Sequence, residues 1–364
     1  MTAEQASVSE REQKILGIIE TARAKRAKFG DPHVTMAHGA GGKATQNMIE
    51  GLFVPAFGGG LAQLADAGEL DIDGVALALS TDAYVVKPLR FPGGSIGELA
   101  VNGTVNDLAV SGARALALSI SLVLEEGLAA EQLRAETDAI ASAAAAAGVQ
   151  VIAGDTKVVE RTRAEGMYIC STGLGRRDPR ATLSPASLVP GDRILLSGSI
   201  GEHGMAIMLA RGEFELAAAI ESDTRSLWPA VDGLLGAAGK DLHCMRDATR
   251  GGVASVLNEL ARASSVAMYV RESAVPVKPA VAAAAEILGL DPLYVANEGK
   301  LLAFVAPHAA EDALAALRTV AGCELAADIG EVLGQPPGMV LLETGFGGRR
   351  VLDQLVGDPL PRIC

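Results

Sequence analysis

The sequence predicts an α/β protein built from two domains. Three observations carry that reading. At 364 residues the chain exceeds what one hydrophobic core usually organises. Short apolar runs punctuated by glycine alternate with Ala-rich helical stretches. A segment rich in Pro, Ser and Arg, "RRDPRATLSPASLVPGD", marks a junction near the middle. The composition agrees: 49% hydrophobic with 42 glycines and only 3% aromatics describes a packed core of Ala, Val and Leu.

In chain order, "SEREQKILGIIETARAKRAKF" carries a capping box at Ser9 and Glu12, then Ile15, Ile18, Ile19 and Ala22 at helical spacing. It reads as one amphipathic helix ahead of the main body. "VALALSTDAYVV" reads as a strand that breaks near Asp82, "SIGELAVNGTVNDLAVSGA" as a helix capped by Ser95 and Glu98, and "ALALSISLVL" as the next strand. The Ala-rich run that follows is a helix stopped by Gly148, after which "VQVIAG" and "MYICSTGLG" read as strands. Beyond the junction, "RILLSGSI" begins a second α/β unit, with helices near 204–211, 251–263 and 279–288 and strands near 266–271, 301–306 and 339–343.

A formal net charge of −13 disfavours nucleic acid, because phosphate neutralisation needs clustered Lys and Arg. The cysteines at 170, 244, 323 and 364 lack CxxC spacing, which disfavours a zinc site or disulfide framework and fits a reducing cytoplasmic setting. Cys170 lies in the strand "MYICSTG", Cys244 and Cys323 lie in apolar contexts, and all three read as packing residues. No targeting signal or membrane-spanning run is visible.

The candidate chemistry gathers around short polar motifs at the ends of apolar runs. "HGAGGKATQNMIEGLF" joins a glycine-rich turn to a helix. Gly39, Gly41 and Gly42 would let backbone N–H groups approach phosphate oxygens, Lys43 could add a full charge, and His38 opens the turn. Asp82 and Asp107 offer the hard oxygens that Mg²⁺ accepts, with Asn106 beside Asp107. Asp155, Thr156 and Lys157 follow a strand, and Asp247 and Arg250 precede a helix. In "NEGK", Glu298 and Lys300 flank Gly299, and from spacing alone a Lys–Glu surface pair is the simplest reading.

Taken in order, "HGAGGKA", "STDAYVV", "VNDLAVSGA", "AGDTKVV", "DATRGGV" and "NEGK" resemble the ATP-binding superfamily of aminoimidazole ribonucleotide synthetase, selenophosphate synthetase and thiamine monophosphate kinase. The closing "PRIC" points within it to the carbamoyl dehydratases of hydrogenase maturation. The resemblance implies a PurM-like fold: a helical extension (1–32), an ATP-binding and dimerisation domain (33–178), a C-terminal α/β sandwich domain (179–350) and a tail (351–364). It implies a homodimer that pairs the sheets of its N-terminal domains, with ATP and Mg²⁺ as cofactors. It further implies that Cys364 receives a carbamoyl group from the carbamoyltransferase HypF, that ATP-driven dehydration turns this into a thiocyanate, and that the HypC–HypD complex takes the cyanide. In that scheme Glu298 is the base, Lys157 its electrostatic partner, and Asp82 and Asp107 hold the metal.

Two other readings stand beside this one. Selenophosphate synthesis is expected to need a reactive Cys or selenocysteine in the N-terminal glycine-rich region, and this chain has no cysteine before Cys170. A non-catalytic ATP-binding scaffold would dock partners through the tail and the first helix.

Overall fold

The computed structural model describes residues 29–58, 65–212 and 219–355. The first layer is a five-stranded sheet in the order β1-β2-β7-β5-β6, formed by β1 (Gly68–Ile72), β2 (Val75–Tyr84), β5 (Ala113–Glu125), β6 (Gln150–Val159) and β7 (Met167–Arg177). The two-residue strands β3 (Arg90–Phe91) and β4 (Gly94–Ser95) make a small separate ribbon. Neighbours run antiparallel except β5 and β6, which are parallel.

Before the sheet, α1 (Lys43–Met48) runs through a π-helical turn (Ile49–Phe53) into α2 (Val54–Phe57). One face of the sheet is covered by α3 (Ile96–Val110), with α4 (Ala130–Ala147) packed against α3. The α3 cap is as the sequence predicts, with Ser95 Oγ accepting from the Glu98 N–H. Apolar on nearly every side, this helix is buried from Ile96 to Val110 except at Glu98 and Asp107, as a helix sandwiched between two layers must be. Its close approach to β7 requires Gly173, where a Cβ would stand 2.8 Å from Thr104 Cγ2 and 2.9 Å from Leu108 Cδ1. Gly148, left-handed at φ 67°, ends α4 as expected.

The second half holds a seven-stranded sheet, β14-β13-β10-β12-β8-β11-β9. Its strands are β8 (Arg193–Leu196), β9 (Leu242–Asp247), β10 (Ala267–Arg271), β11 (Leu301–Val305), β12 (Ala327–Leu333), β13 (Val340–Glu343) and β14 (Arg349–Val351). Five helices accompany it: α5 (Glu202–Ala210), α6 (Trp228–Ala238), α7 (Gly252–Ala263), α8 (Pro279–Leu288) and α9 (Ala310–Arg318). Both faces are covered. Leu196, Leu302 and Phe304 pack with Val253 and Leu257 of α7, whereas Leu195, Leu301 and Val305 pack with Val231 and Leu234 of α6 and Leu317 of α9. A strand buried on both faces reads as an unbroken apolar run, which is what "LLAFV" is.

The strand β2 does not break near Asp82: it continues to Tyr84, with Asp82 opposite Ser171 of β7. Cys244 and Cys323 are buried, but Cys170 is exposed on the outer face of the first sheet and is not a packing residue. The residues of the predicted N-terminal helix up to Lys28, and the tail from 356 to Cys364, lie outside the described residues.

Candidate active site

The glycine-rich turn, the ends of β2 and α3, and the β9–α7 connection enclose a cleft of 590 Å³. Gly41 holds φ +76°, and a Cβ there would meet Arg250 Cβ at 3.1 Å, so the turn lies directly on the β9–α7 loop. The Arg250 guanidinium donates to Gly39 O at 3.3 Å and lies 4.0 Å from Asp82 Oδ1, bridging the turn to the first sheet. Gly41 N–H donates to Thr45 Oγ1, which closes the turn onto the start of α1.

Acidic side chains from three distant segments converge on this cleft. One carboxylate oxygen each from Asp66, Asp107 and Asp247 lies within 4.8 Å of the others. Burial pushes the Asp107 carboxyl well above its ordinary value, with the charges of Asp247, Asp66 and Asp82 adding to the shift. Asp247 is pushed up to about 8, first by burial and then by Asp66. Arg246 offsets part of this crowding through ion pairs to Asp66 at 2.8 Å and Glu259 at 3.2 Å. A set of hard oxygens too close to stay ionised together is suited to a divalent cation.

Glu298 faces the same cleft and is only 4% exposed. Burial raises its carboxyl well above the ordinary range, and Asp82, Asp247 and Asp223 push in the same direction while Arg250 opposes them. Its backbone is held from both sides: the N–H donates to Asp223 Oδ1 at 3.0 Å, and the carbonyl accepts from Asn106 Nδ2 at 3.1 Å. Lys300 is not a surface partner of Glu298. It is buried and paired with Asp223 at 2.8 Å. Burial acts to raise the Asp223 carboxyl, but the Lys300 ammonium and the N–H of Glu298 outweigh it and hold it below the ordinary value.

The structure therefore brings Gly41, Gly42, Asp82, Asp107, Arg250 and Glu298 to one cleft, with Gly39 tied to its rim. Several expected residues have other roles. His38 is 4% exposed, and both its ring nitrogens are engaged, Nδ1 with Thr35 and Nε2 with Asp31 at 3.1 Å, so it staples the turn rather than facing a phosphate. Lys43 pairs with Asp353 at 3.1 Å. Asn106 bonds the carbonyls of Arg225 and Glu298 and accepts from Leu227 N–H, which uses its amide to join the two halves and leaves it off the cleft wall.

Asp155, Thr156 and Lys157 lie on the edge strand β6, where Lys157 pairs with Asp155; among the described residues no ion pair joins Lys157 to Glu298. Sequence reasoning missed Asp66 and Asp223 altogether and did not give Asp247 to the metal, although it noted that residue. The only local signal for Asp66 is an acid shortly ahead of a strand.

The chain leading to the tail is rooted beside this cleft. Leu352 N–H donates to Val340 O, Asn258 Nδ2 to Leu352 O and Tyr294 Oη to Asp353 O, and Lys43 N–H reaches Leu355 O at 3.5 Å.

Residues 64–176 match the family described as AIR synthase related protein, N-terminal domain, and residues 189–341 match its C-terminal domain. The chain is 47% identical over 332 residues to the carbamoyl dehydratase HypE of Bradyrhizobium diazoefficiens, covering 91% of this chain and 96% of that one. It is 43% identical over 338 residues to the HypE of Escherichia coli strain K12, covering 91% and 99%. Among solved structures, a HypE in complex with ATP is similar at TM-score 0.77 and 44% identity, covering 91% of this chain and all of that one. A HypE–HypF complex is similar at TM-score 0.80 and 39% identity, covering 85% and 99%. With both domains matched in order and relatives this similar along nearly their whole length, the chain belongs to the AIR synthase related proteins and, within them, to the HypE carbamoyl dehydratases.

Proposed function

We propose that this chain uses ATP to dehydrate an S-carbamoyl group on its own Cys364, giving an S-bound thiocyanate from which the cyanide ligand of a hydrogenase iron is supplied. The observation that carries this reading is Glu298, a nearly buried carboxyl in the cleft that also holds the glycine-rich turn and the three clustered aspartates. The S-carbamoyl oxygen is a poor leaving group, so it first attacks the γ-phosphorus of ATP, releasing ADP and one N–H proton. The remaining N–H proton then leaves as the C–O bond breaks, phosphate departs, and the carbon closes to the nitrile.

Glu298 accepts the proton at its carboxylate. Asp223 and Asn106 hold its backbone so that the side chain faces the cleft. The Gly39–Gly42 backbone positions the phosphates of ATP, a nucleotide with which a similar HypE was solved. Asp66, Asp107 and Asp247 would hold Mg²⁺, with Asp82 beside them, and the ion would supply positive charge against the phosphates. Burial first, and then the charges of Asp82, Asp247 and Asp223, raise the Glu298 carboxyl; a cation held by the aspartates would offset that second contribution and favour the basic form.

The exposed face of the first sheet supports a homodimer. Leu70, Ile72, Val75 and Leu79 are exposed on it, and β6 stands at the edge of the sheet. By strand register, Lys157 lies opposite Val123 and Tyr168 on that same outer face, as does Thr81 at the cleft rim. A second copy pairing there supplies Lys157 across the joint to its partner's cleft. HypF, which a similar HypE binds, loads the thiol, and HypC–HypD receives the product.

Intact mass tests the reaction. After loading by HypF, the carbamoyl adduct is expected to lose one water only with Mg-ATP and never to form on Cys364→Ala. An adduct that persists with Mg-ATP sinks the reading. A second measurement tests the metal. Because the folded Asp247 carboxyl stays protonated to about pH 8, the folded chain holds a proton that the unfolded chain releases near pH 4, so metal-free stability falls as pH rises through that window. The melting temperature without metal is therefore expected to be lower at pH 8 than at pH 6, with Mg²⁺ raising it most at pH 8. Asp247→Asn diminishes both effects, with Asp107 still contributing; an undiminished Mg²⁺ shift in that variant places the ion elsewhere.

A further inference from the structure

Glu298 is placed through its backbone. Among the described residues no hydrogen bond or ion pair engages its carboxyl, and the segment that carries it, 295–300, belongs to neither helix nor strand. Where the carboxyl sits therefore depends on what holds the peptide groups around it. Asp223 takes the Glu298 N–H and Asn106 the Glu298 carbonyl. The next carbonyl, Gly299 O, accepts from Arg225 Nε at 3.2 Å.

Arg225 lies in 221–227, a stretch without regular structure that leads into α6. The stretch is tied to the first half of the molecule: Ser222 N–H donates to Pro92 O at 2.8 Å, Asn102 Nδ2 to Thr224 Oγ1 at 3.2 Å, and Asn106 Nδ2 to Arg225 O at 2.9 Å. The guanidinium reaches the other way, into the turn after α9. Its Nη1 donates to Ala321 O at 2.8 Å and its Nη2 to Cys323 Sγ at 3.3 Å. Two glycines make room for it. A Cβ at Gly299 would stand 2.9 Å from Arg225 Cγ, and one at Gly322, where φ is +77°, would overlap Nη1.

We propose that Arg225 is a positioning residue for the dehydration: it clamps Gly299 against the turn after α9 and so fixes where the Glu298 carboxyl enters the cleft. This rests on the reading of Glu298 as the base. No ion pair among the described residues includes Arg225, and its donors go to two carbonyls and a thiol, so its work here is directional holding rather than charge pairing. A planar fork aimed at residues 299, 321 and 323 holds separate segments in one geometry, which a compact ammonium on a flexible stem cannot do. The clamp has to come from outside. Gly299 leaves its own link free to turn, and a side chain there would collide with the Asp223 carbonyl.

Single-turnover dehydration of the full chain, loaded by HypF, tests this with Arg225→Ala and Arg225→Lys, and with Glu298→Gln alongside. A displaced base slows the chemical step without weakening ATP binding. The rate constant at saturating Mg-ATP is therefore expected to fall about 10- to 100-fold in Arg225→Ala and about tenfold in Arg225→Lys. The half-saturating ATP concentration and the fraction of protein that reacts stay at their wild-type values. A role in holding the fold alone gives the reverse, a smaller reacting fraction at an unchanged rate constant, and that result overturns the proposal. So does a wild-type rate constant in Arg225→Lys, which keeps the charge and most of the packing and decides the matter where Arg225→Ala does not fold. The two readings fail separately. Glu298→Gln at the wild-type rate removes the base itself, whereas a slow Glu298→Gln beside unaffected Arg225 variants removes only the role of Arg225.

Discussion

Replacing Glu298 with glutamine is expected to leave carbamoyl loading of Cys364 intact and to slow dehydration by about 10²- to 10⁴-fold, the usual range for removing a positioned base. The amide is nearly isosteric, and the contacts that hold residue 298 come from its backbone, through Asp223 and Asn106, so the cleft keeps its shape. What disappears is the proton acceptor. Since burial and three neighbouring carboxylates raise the Glu298 carboxyl above its ordinary value, the wild-type rate is expected to climb with pH as that group ionises. The glutamine variant should lack this rise. Single-turnover assays of the loaded protein across pH read both quantities, and a variant that dehydrates at the wild-type rate moves the base to another residue.

The largest loss of stability is expected from Lys300→Met. Lys300 and Asp223 form an ion pair with both side chains nearly excluded from solvent. Removing one partner leaves a buried, uncompensated carboxylate, which typically costs about 3–5 kcal/mol. The double variant Asp223→Leu/Lys300→Met, with neither charge, should recover much of that loss while still impairing turnover, because Glu298 N–H loses its acceptor. Denaturant unfolding of the three proteins separates these outcomes. Equal stability of wild type and Lys300→Met shows that the pair is not holding the segment. The sign with pH is opposite to that of Asp247. Asp223 is held below the ordinary carboxylate range, so its contribution is present above that range and is lost as pH falls through its folded value.

Local pattern made much of the fold legible. The Ser95–Glu98 cap, the Gly148 stop and the alternation in "VALALSTDAY" each act over a few residues, and each element formed. The sequence reading passed over the helix Trp228–Ala238 because Gly233 and Gly236 interrupt its apolar period, although Pro229 in its first turn is a start signal. The strands Leu242–Asp247 and Ala327–Leu333 and the helix Ala310–Arg318 were passed over too.

The site was less legible because its chemistry is made by convergence. Asp66, Asp107 and Asp247 become a cluster only when three segments meet, and no spacing rule sees that. His38 and Lys43 looked like phosphate contacts from their place in a glycine-rich turn, but His38 is engaged by the nearby Asp31, outside any helical or strand period, and Lys43 by Asp353 at the far end of the chain. Lys300 read as a surface charge because its partner lies far back at Asp223. The residues Asp155, Thr156 and Lys157 lie exposed on the edge strand β6, a placement set by the order of strands in the sheet rather than by their own spacing.

The root of the tail also bears on kinetics. Leu355 sits against the backbone of Lys43, and Cys364 follows nine residues later, roughly 30–32 Å away at full extension. A thiol tethered on so short a leash experiences its own cleft at an effective concentration of order millimolar. Turnover is then first order in protein, and free thiols at lower concentration compete poorly for the cleft. The same tether weighs against handover. A protein that loads or unloads Cys364 must overcome that local concentration, so exchange with partners is favoured when the cleft's affinity for the tail is low.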